Sequence, residues 1–275
     1  MSVSLRCYST SLGCPKNRVD TERLLGSLGV ALVPVESPDE AELVFINTCA
    51  FIQPATEESV RTIAQAIADI EELPKRPLLA VAGCLVGRYH AEDLAPELPE
   101  VDLWLDNSDL EAWPAMLARK LGLPEPTDPG RILSTGPSYA WLKISDGCRH
   151  ACSFCAIPNI RGGHRSHCKD MIVREARALL DQGVNIAFDT IGKCNYQPDV
   201  SRADWLSRLC AEGYDTQIVM SMDITRRSNF ADRGGVGYSY LLDTFVPLAS
   251  EAGVPDRAWE NLLYRNALRI YKGQK

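Results

Sequence analysis

Three cysteines recur at an even interval of 35 residues, at Cys14, Cys49 and Cys84. Cys14 lies in Ser-Leu-Gly-Cys-Pro-Lys-Asn, Cys49 in Val-Phe-Ile-Asn-Thr-Cys-Ala-Phe, and Cys84 in Leu-Ala-Val-Ala-Gly-Cys-Leu. Each sits where an apolar run ends and a glycine-rich or polar turn begins. The interval suits three successive strand-to-helix turns of one α/β unit. Leu43–Asn47 and Leu78–Ala82 are short apolar runs of the kind that form parallel strands buried on both faces. Asp20–Leu28 and Glu57–Ile70 carry apolar residues at helical spacing. The pattern predicts a βα rhythm with a parallel sheet over residues 1–121. Such sheets bind ligands at the carboxyl ends of their strands, and all three cysteines fall on that edge. A lone free cysteine is ordinarily a small buried hydrophobe. Three at equivalent turns favour a ligand role.

Composition narrows the setting. The chain has 275 residues, enough for two domains or one large one, with 45% hydrophobic and 24% charged residues. A net charge of -7 excludes a molecule drawn as a whole to nucleic acid. No apolar run approaches the roughly 18 residues of a membrane span. Met1-Ser-Val-Ser-Leu-Arg-Cys lacks the build of a signal peptide. Both features point to the cytoplasm and to no membrane partner. Ten cysteines in a reducing compartment read as metal ligands or catalytic groups before disulfides.

A second set is tighter. Cys148, Cys152 and Cys155 form a CxxxCxxC loop in Gly147-Cys-Arg-His-Ala-Cys-Ser-Phe-Cys-Ala. Three thiolates on one loop can hold three irons of a four-iron cluster and leave the fourth iron open for chemistry. The proline-rich segment Gly122–Gly130 reads as a linker. Tyr139–Ile144 reads as the strand that delivers the loop, and Lys169–Gln182 as the helix that follows it. Between loop and helix lies a basic stretch of Arg149, His150, Arg161, His164, Arg165, His167 and Lys169. It is either a solvated face or a contact surface for an anionic cofactor or a ribosomal substrate.

From Ser11 to about Val184 the chain resembles the radical S-adenosylmethionine methylthiotransferases, in the branch that modifies ribosomal protein S twelve. The resemblance is carried by Ser11-Leu-Gly-Cys-Pro-Lys-Asn, Asn47-Thr-Cys-Ala-Phe-Ile, Gly83-Cys-Leu-Val-Gly-Arg-Tyr, Pro99-Glu-Val-Asp, and Tyr139 through Ser166. It implies two four-iron four-sulfur clusters and S-adenosyl-L-methionine as cofactors. Cys148, Cys152 and Cys155 would hold the cluster that binds and cleaves S-adenosylmethionine. Cys14, Cys49 and Cys84 would hold an auxiliary cluster. The implied activity is transfer of a methylthio group to an aspartate side chain of that ribosomal protein. The implied electron donor is a flavodoxin or ferredoxin.

The resemblance stops after Gly183-Val184. The rest of the family's barrel and its small RNA-binding domain have no counterpart, so direct RNA binding is not expected. His167-Cys168 also stands where the family has arginine and proline. Residues 186–275 instead look like the closing strands of phosphotriesterase-like metal hydrolases, through Phe188-Asp-Thr-Ile-Gly-Lys, Ser221-Met-Asp-Ile-Thr and Gly234-Gly-Val-Gly-Tyr-Ser-Tyr-Leu-Leu. That family's metal-binding aspartate would correspond to Asp223, but the strands carrying the other ligands are missing. The expected organisation is an N-terminal methylthiotransferase domain at 1–121, a linker at 122–130, the start of a radical S-adenosylmethionine domain at 131–184, and a phosphotriesterase-like fragment at 185–275. Asn185–Ile191 is expected to pair beside Tyr139–Ile144, with Thr216–Ser221 next, giving a partial, unclosed (β/α) barrel. Helices are expected near Arg202–Glu212, Tyr238–Ala252 and Asp256–Tyr271. Two readings stay open for the whole chain, a methylthiotransferase or an iron–sulfur binding protein that does not turn over. A metal-dependent hydrolase is a third reading, weakened by the missing ligands.

Overall fold

A computed structural model describes residues 4–126, 130–135, 139–150 and 152–273. The chain forms two compact units, one of Met1–Ser134 with Trp141–Val173, the other of Thr135–Ala140 with Arg174–Lys275.

The first unit is built on five parallel strands: β1 (Ser4–Ser11), β2 (Ala31–Pro34), β3 (Leu43–Thr48), β4 (Leu78–Gly83) and β5 (Leu103–Asp106). Their order is β2-β1-β3-β4-β5. The helices between them are α1 (Pro15–Ser27), α2 (Gln53–Ile70), α3 (Cys84–Tyr89) and α4 (Ala91–Leu94), and α5 (Trp113–Leu121) follows β5. Side chains of one strand alternate between the two faces, and both faces here are apolar. Leu43 and Phe45 join Leu5, Cys7, Leu24, Leu105, Trp113 and Leu117 in the core under α1 and α5. Val44 and Ile46 join Ile63, Ile70, Leu79 and Val81 in the core under α2 and α3. Burial on both sides is why β3 and β4 read as unbroken apolar runs. The strand order reverses between β1 and β3, which places a topological switch point at their carboxyl ends.

The remainder of this unit is a hairpin. β6 (Ser145–Asp146) pairs antiparallel with β7 (Arg165–Ser166), Asp146 opposite Arg165. Between them lie the CxxxCxxC loop and α6 (Ile157–Arg161). Ala151 of that loop and residues 127–129 of the proline-rich segment lie outside the described residues. α7 (Lys169–Asp181) comes next, and the division between the two units falls within it.

In the second unit, β8 (Ile186–Phe188) pairs in parallel with β9 (Ile218–Met220), and α8 (Asp199–Ala211) lies between them in sequence. The tail runs through a π-helical turn at Leu241–Phe245 into α9 (Val246–Glu251), then through a second at Asn261–Arg265 into α10 (Asn266–Tyr271). Phe245, Ala249, Ala258 and Leu262 pack on Ile191, Leu206, Cys210 and Ile218. Asn266 Nδ2 donates to the carbonyls of Asp215 and Ile218, at 2.8 and 2.7 Å, and so fixes the last helix to β9. The architecture is mixed α/β, and the described strands close no barrel.

One expected strand is absent. Tyr139–Ile144 forms no ladder, and Tyr139, Trp141, Leu142 and Ile144 are all exposed. A strand needs a neighbour to take its backbone groups. Of the two neighbours expected for Asn185–Ile191, the described residues pair it with β9, within Thr216–Ser221, and not with Tyr139–Ile144. The delivering strand of the loop is reduced to the two residues of β6.

Candidate metal–thiolate site

The first cysteine set lies where the strands end. Cys14 caps α1 after β1, Cys49 follows β3, and Cys84 opens α3 after β4. The strands are adjacent in the sheet, and Cys14 and Cys49 flank the switch point. Cys49 and Cys84 are buried, while Cys14 is exposed.

Asn17 gathers these turns. Three residues past Cys14, in the first turn of α1, it is wholly buried. Its backbone N–H donates to the Cys14 carbonyl at 3.1 Å. Its side-chain Nδ2 donates to the carbonyl of Leu12 at 2.8 Å and to that of Thr48 at 2.7 Å. The Cys84 thiol stands 3.7 Å from its Oδ1. Ser59 of α2 secures the middle turn, accepting from Cys49 N at 3.0 Å and donating to Cys49 O at 2.7 Å. Gly13 has φ +81°, and a Cβ there would lie 2.6 Å from both Cβ and Sγ of Cys49. Only glycine admits that approach and that backbone conformation together.

The electrostatics follow from burial. Taking Cys84 out of water raises its thiol pKa, and the nearby Cys49 and Cys14 push the same way. Arg161 opposes them, with its guanidinium against the thiol. Arg161 is itself buried in a four-membered charge network. It donates to Asp20 at 3.2 Å and to Asp146 at 3.0 Å, and Lys143 Nζ stands 2.6 Å from each of the same carboxylates. Burial would raise the Asp146 carboxyl, but Arg161 and Lys143 outweigh it and hold the group at about 2. By contrast, burial pushes the isolated thiol of Cys7 up to about 12, as expected of an inert core cysteine.

The donor chemistry suits an iron–sulfur group: three soft thiols stand at the ends of adjacent strands, with the Arg161 guanidinium beside Cys84. Asn107 is buried beside the set, and its Nδ2, 3.7 Å from Cys84 Sγ, is a donor suited to a thiolate. Among the described residues no group of three or more His, Cys, Asp or Glu side chains is arranged to hold a metal ion. Cluster thiolates each take a different iron, so they need not meet at one point.

The second set lies in the β6–β7 hairpin. Cys148 N donates to Gly162 O at 3.2 Å, and Cys155 N to Cys152 O at 3.0 Å. Cys148 and Cys155 are partly buried and Cys152 is exposed. Here the fit rests on the donor chemistry of three thiols on one short loop.

Of the basic stretch, Arg161 is buried and ion-paired, whereas Arg149, His164 and Arg165 are exposed. Sequence reasoning placed Arg161 among solvent or ligand contacts and assigned no role to Asn17, Asp20, Lys143 or Asp146. The available signal for Asn17 was its position in Cys-Pro-Lys-Asn, where the first helical turn brings it back over the strand end. In the second unit, Asp223 has φ +47° at the end of β9, and Lys193 engages its carboxylate. His90, His150, His164 and His167 all belong to the first unit.

The model of an uncharacterized protein family, UPF0004, matches residues 6–106. The phosphotriesterase family model matches residues 162–271. The chain resembles two families, one at each end. The ribosomal protein uS12 methylthiotransferase RimO of Nitratidesulfovibrio vulgaris (strain DP4) is 71% identical over 177 residues, 64% of this chain and 41% of that protein. The same-named proteins of Lawsonia intracellularis and Aquifex aeolicus are 57% and 49% identical, over 42% and 38% of their lengths. The chain thus spans about two fifths of the curated relatives it matches. Among solved structures, the phosphotriesterase homology protein of Escherichia coli aligns at 16% identity and a TM-score of 0.36, with 98% of each chain covered. The lactonase Lmo2620 of Listeria monocytogenes aligns at 12% identity and 0.34, covering 100% of this chain and 95% of that one. Scores at that level carry no argument. No described helix is long and apolar enough to cross a membrane.

Proposed function

We propose that residues 1–184 are the N-terminal part of a uS12 methylthiotransferase of the RimO type. In this reading 1–121 is the auxiliary-cluster domain, 122–130 the linker, 131–184 the start of the radical S-adenosylmethionine domain, and 185–275 a phosphotriesterase-like fragment. Cys14, Cys49 and Cys84 hold one four-iron four-sulfur cluster, and Cys148, Cys152 and Cys155 the other. The observation that carries the reading is the gathering of three cysteine turns from adjacent strands by Asn17.

The clusters, when bound, supply the low-potential electron and the sulfur chemistry on which methylthio transfer depends. The chain's own residues place and shield them. Burial of Cys49 and Cys84 keeps water from two of the three auxiliary ligands, and exposed Cys14 marks the open side. Asn17 and Ser59 fix the turns, so that the ligands are preorganised rather than recruited. The substrate of this reading is an aspartate side chain of ribosomal protein uS12, with S-adenosyl-L-methionine as co-substrate and a flavodoxin or ferredoxin as reductant. The setting is the cytoplasm.

Anaerobically reconstituted, reduced protein given S-adenosylmethionine is expected to release deoxyadenosine and methionine. Full iron loading without deoxyadenosine would establish the second reading, an iron–sulfur protein that does not turn over. The observation favouring that second reading is the span of about two fifths of the relatives' length. A metal-dependent hydrolase is disfavoured because residues 168–275 contain no histidine to join Asp223 as a ligand.

A further inference from the structure

Within the first unit the buried side chain of Arg161 joins the segment carrying the CxxxCxxC loop to the auxiliary cysteines. Arg161 ends α6, six residues after Cys155. Its Nη2 donates to Asn17 Oδ1 at 2.5 Å, the same oxygen that stands 3.7 Å from Cys84 Sγ. The helices behind the two residues are also in close contact. A Cβ at Gly87, on α3, would lie 2.5 Å from the Ile160 carbonyl on α6. Ile160 is buried in the same core cluster as Cys84, Leu85 and Val86.

The charges around Arg161 are distributed unevenly. Asp20 and Asp146 bind both Arg161 and Lys143, so the four groups are neutral together. Arg161 alone reaches the shared Asn17 oxygen, so the cationic side of the network faces the cysteines. All four side chains are buried to at least 95%, where water screens little.

We propose that Arg161, held beside the auxiliary cysteine set by its hydrogen bond to Asn17, is a positioning residue whose charge sets the reduction potential of the iron–sulfur group that the set holds. This rests on the assignment of Cys14, Cys49 and Cys84 under the proposed function. A positive charge beside a cluster stabilises its reduced, more negative form. Arg161 therefore raises the potential, and Asp20 tempers it.

The test uses the full chain with Cys148, Cys152 and Cys155 replaced by alanine, so that any iron reports on the auxiliary set alone. Iron per chain and the midpoint potential are measured for this background, then with Arg161→Gln, Arg161→Lys and Asp20→Asn added. About four irons are expected in the background. The potential should fall in R161Q, stay near the background in R161K, and rise in D20N. Opposite shifts in R161Q and D20N would not follow from a structural role, which would loosen the site in both. If R161Q fails to fold or load, the D20N rise decides. Unchanged potentials, or shifts of one sign, at full loading would overturn the proposal and leave the cluster assignment standing. No iron in the background would overturn the assignment itself.

Discussion

Asn17 Nδ2 donates to the Thr48 carbonyl at 2.7 Å and ties the turn that follows β3 to the helix that follows β1. The same amide nitrogen reaches Leu12 O, and its oxygen accepts from Arg161. One side chain therefore holds together what the sequence separates by 31 to 144 residues.

Replacing Asn17 by alanine leaves the buried Thr48 carbonyl, the half-buried Leu12 carbonyl and the buried Arg161 guanidinium each one partner short. Each such group costs about 1–3 kcal/mol. N17A is therefore expected to lower the stability of the first unit by about 3 kcal/mol or more, read as a drop in the urea midpoint. N17D should be nearly as damaging, because a carboxylate cannot donate to Leu12 O and Thr48 O.

Gly13→Ala meets two obstacles, the positive φ and the contact with Cys49. A loss exceeding about 1 kcal/mol is expected from the backbone alone, and displacement of Cys49 should weaken iron retention. Chelator challenge of reconstituted protein, with iron followed over time, would show faster loss in G13A than in the parent chain.

Lys143→Met strips one cation from a buried network and leaves Asp20 and Asp146 to share Arg161. Breaking one partner from such a network costs about 3–5 kcal/mol. A thermal or urea melt of K143M should show that loss, and lowering the pH to protonate a carboxylate should recover part of it.

Much of the fold is legible in the sequence for a physical reason. β3 and β4 are buried on both faces, so Leu43–Ile46 and Leu78–Gly83 run without a polar side chain, and the runs stand out. α2 has one buried face and shows it in its spacing. The cysteine turns are legible because their interval repeats. The charge network is not, since Arg161 finds Asp20 across 141 residues and looks in the chain like one more member of a basic stretch. Tyr139–Ile144 misleads in the opposite sense. Its apolar residues satisfy a strand pattern, but nothing in the local sequence states whether a neighbouring strand exists.

Stability at high pH should report on Cys7. Burial raises its thiol pKa to about 12, so the folded state keeps the proton where the unfolded chain loses it. This contribution is fully present below the unfolded thiol's pKa, near 8.5, and is lost as pH climbs toward about 12, at about 1.4 kcal/mol per pH unit. Unfolding free energies from urea melts should fall between about pH 9 and 11, and Cys7→Ala should flatten the decline by up to one proton's worth.

Iron per chain after anaerobic reconstitution tests the two-cluster assignment most directly. The parent chain is expected to hold about eight irons, and about four when either Cys14, Cys49 and Cys84 or Cys148, Cys152 and Cys155 are replaced together by alanine. Iron content unchanged by either triple replacement, in protein that remains folded, would contradict the account.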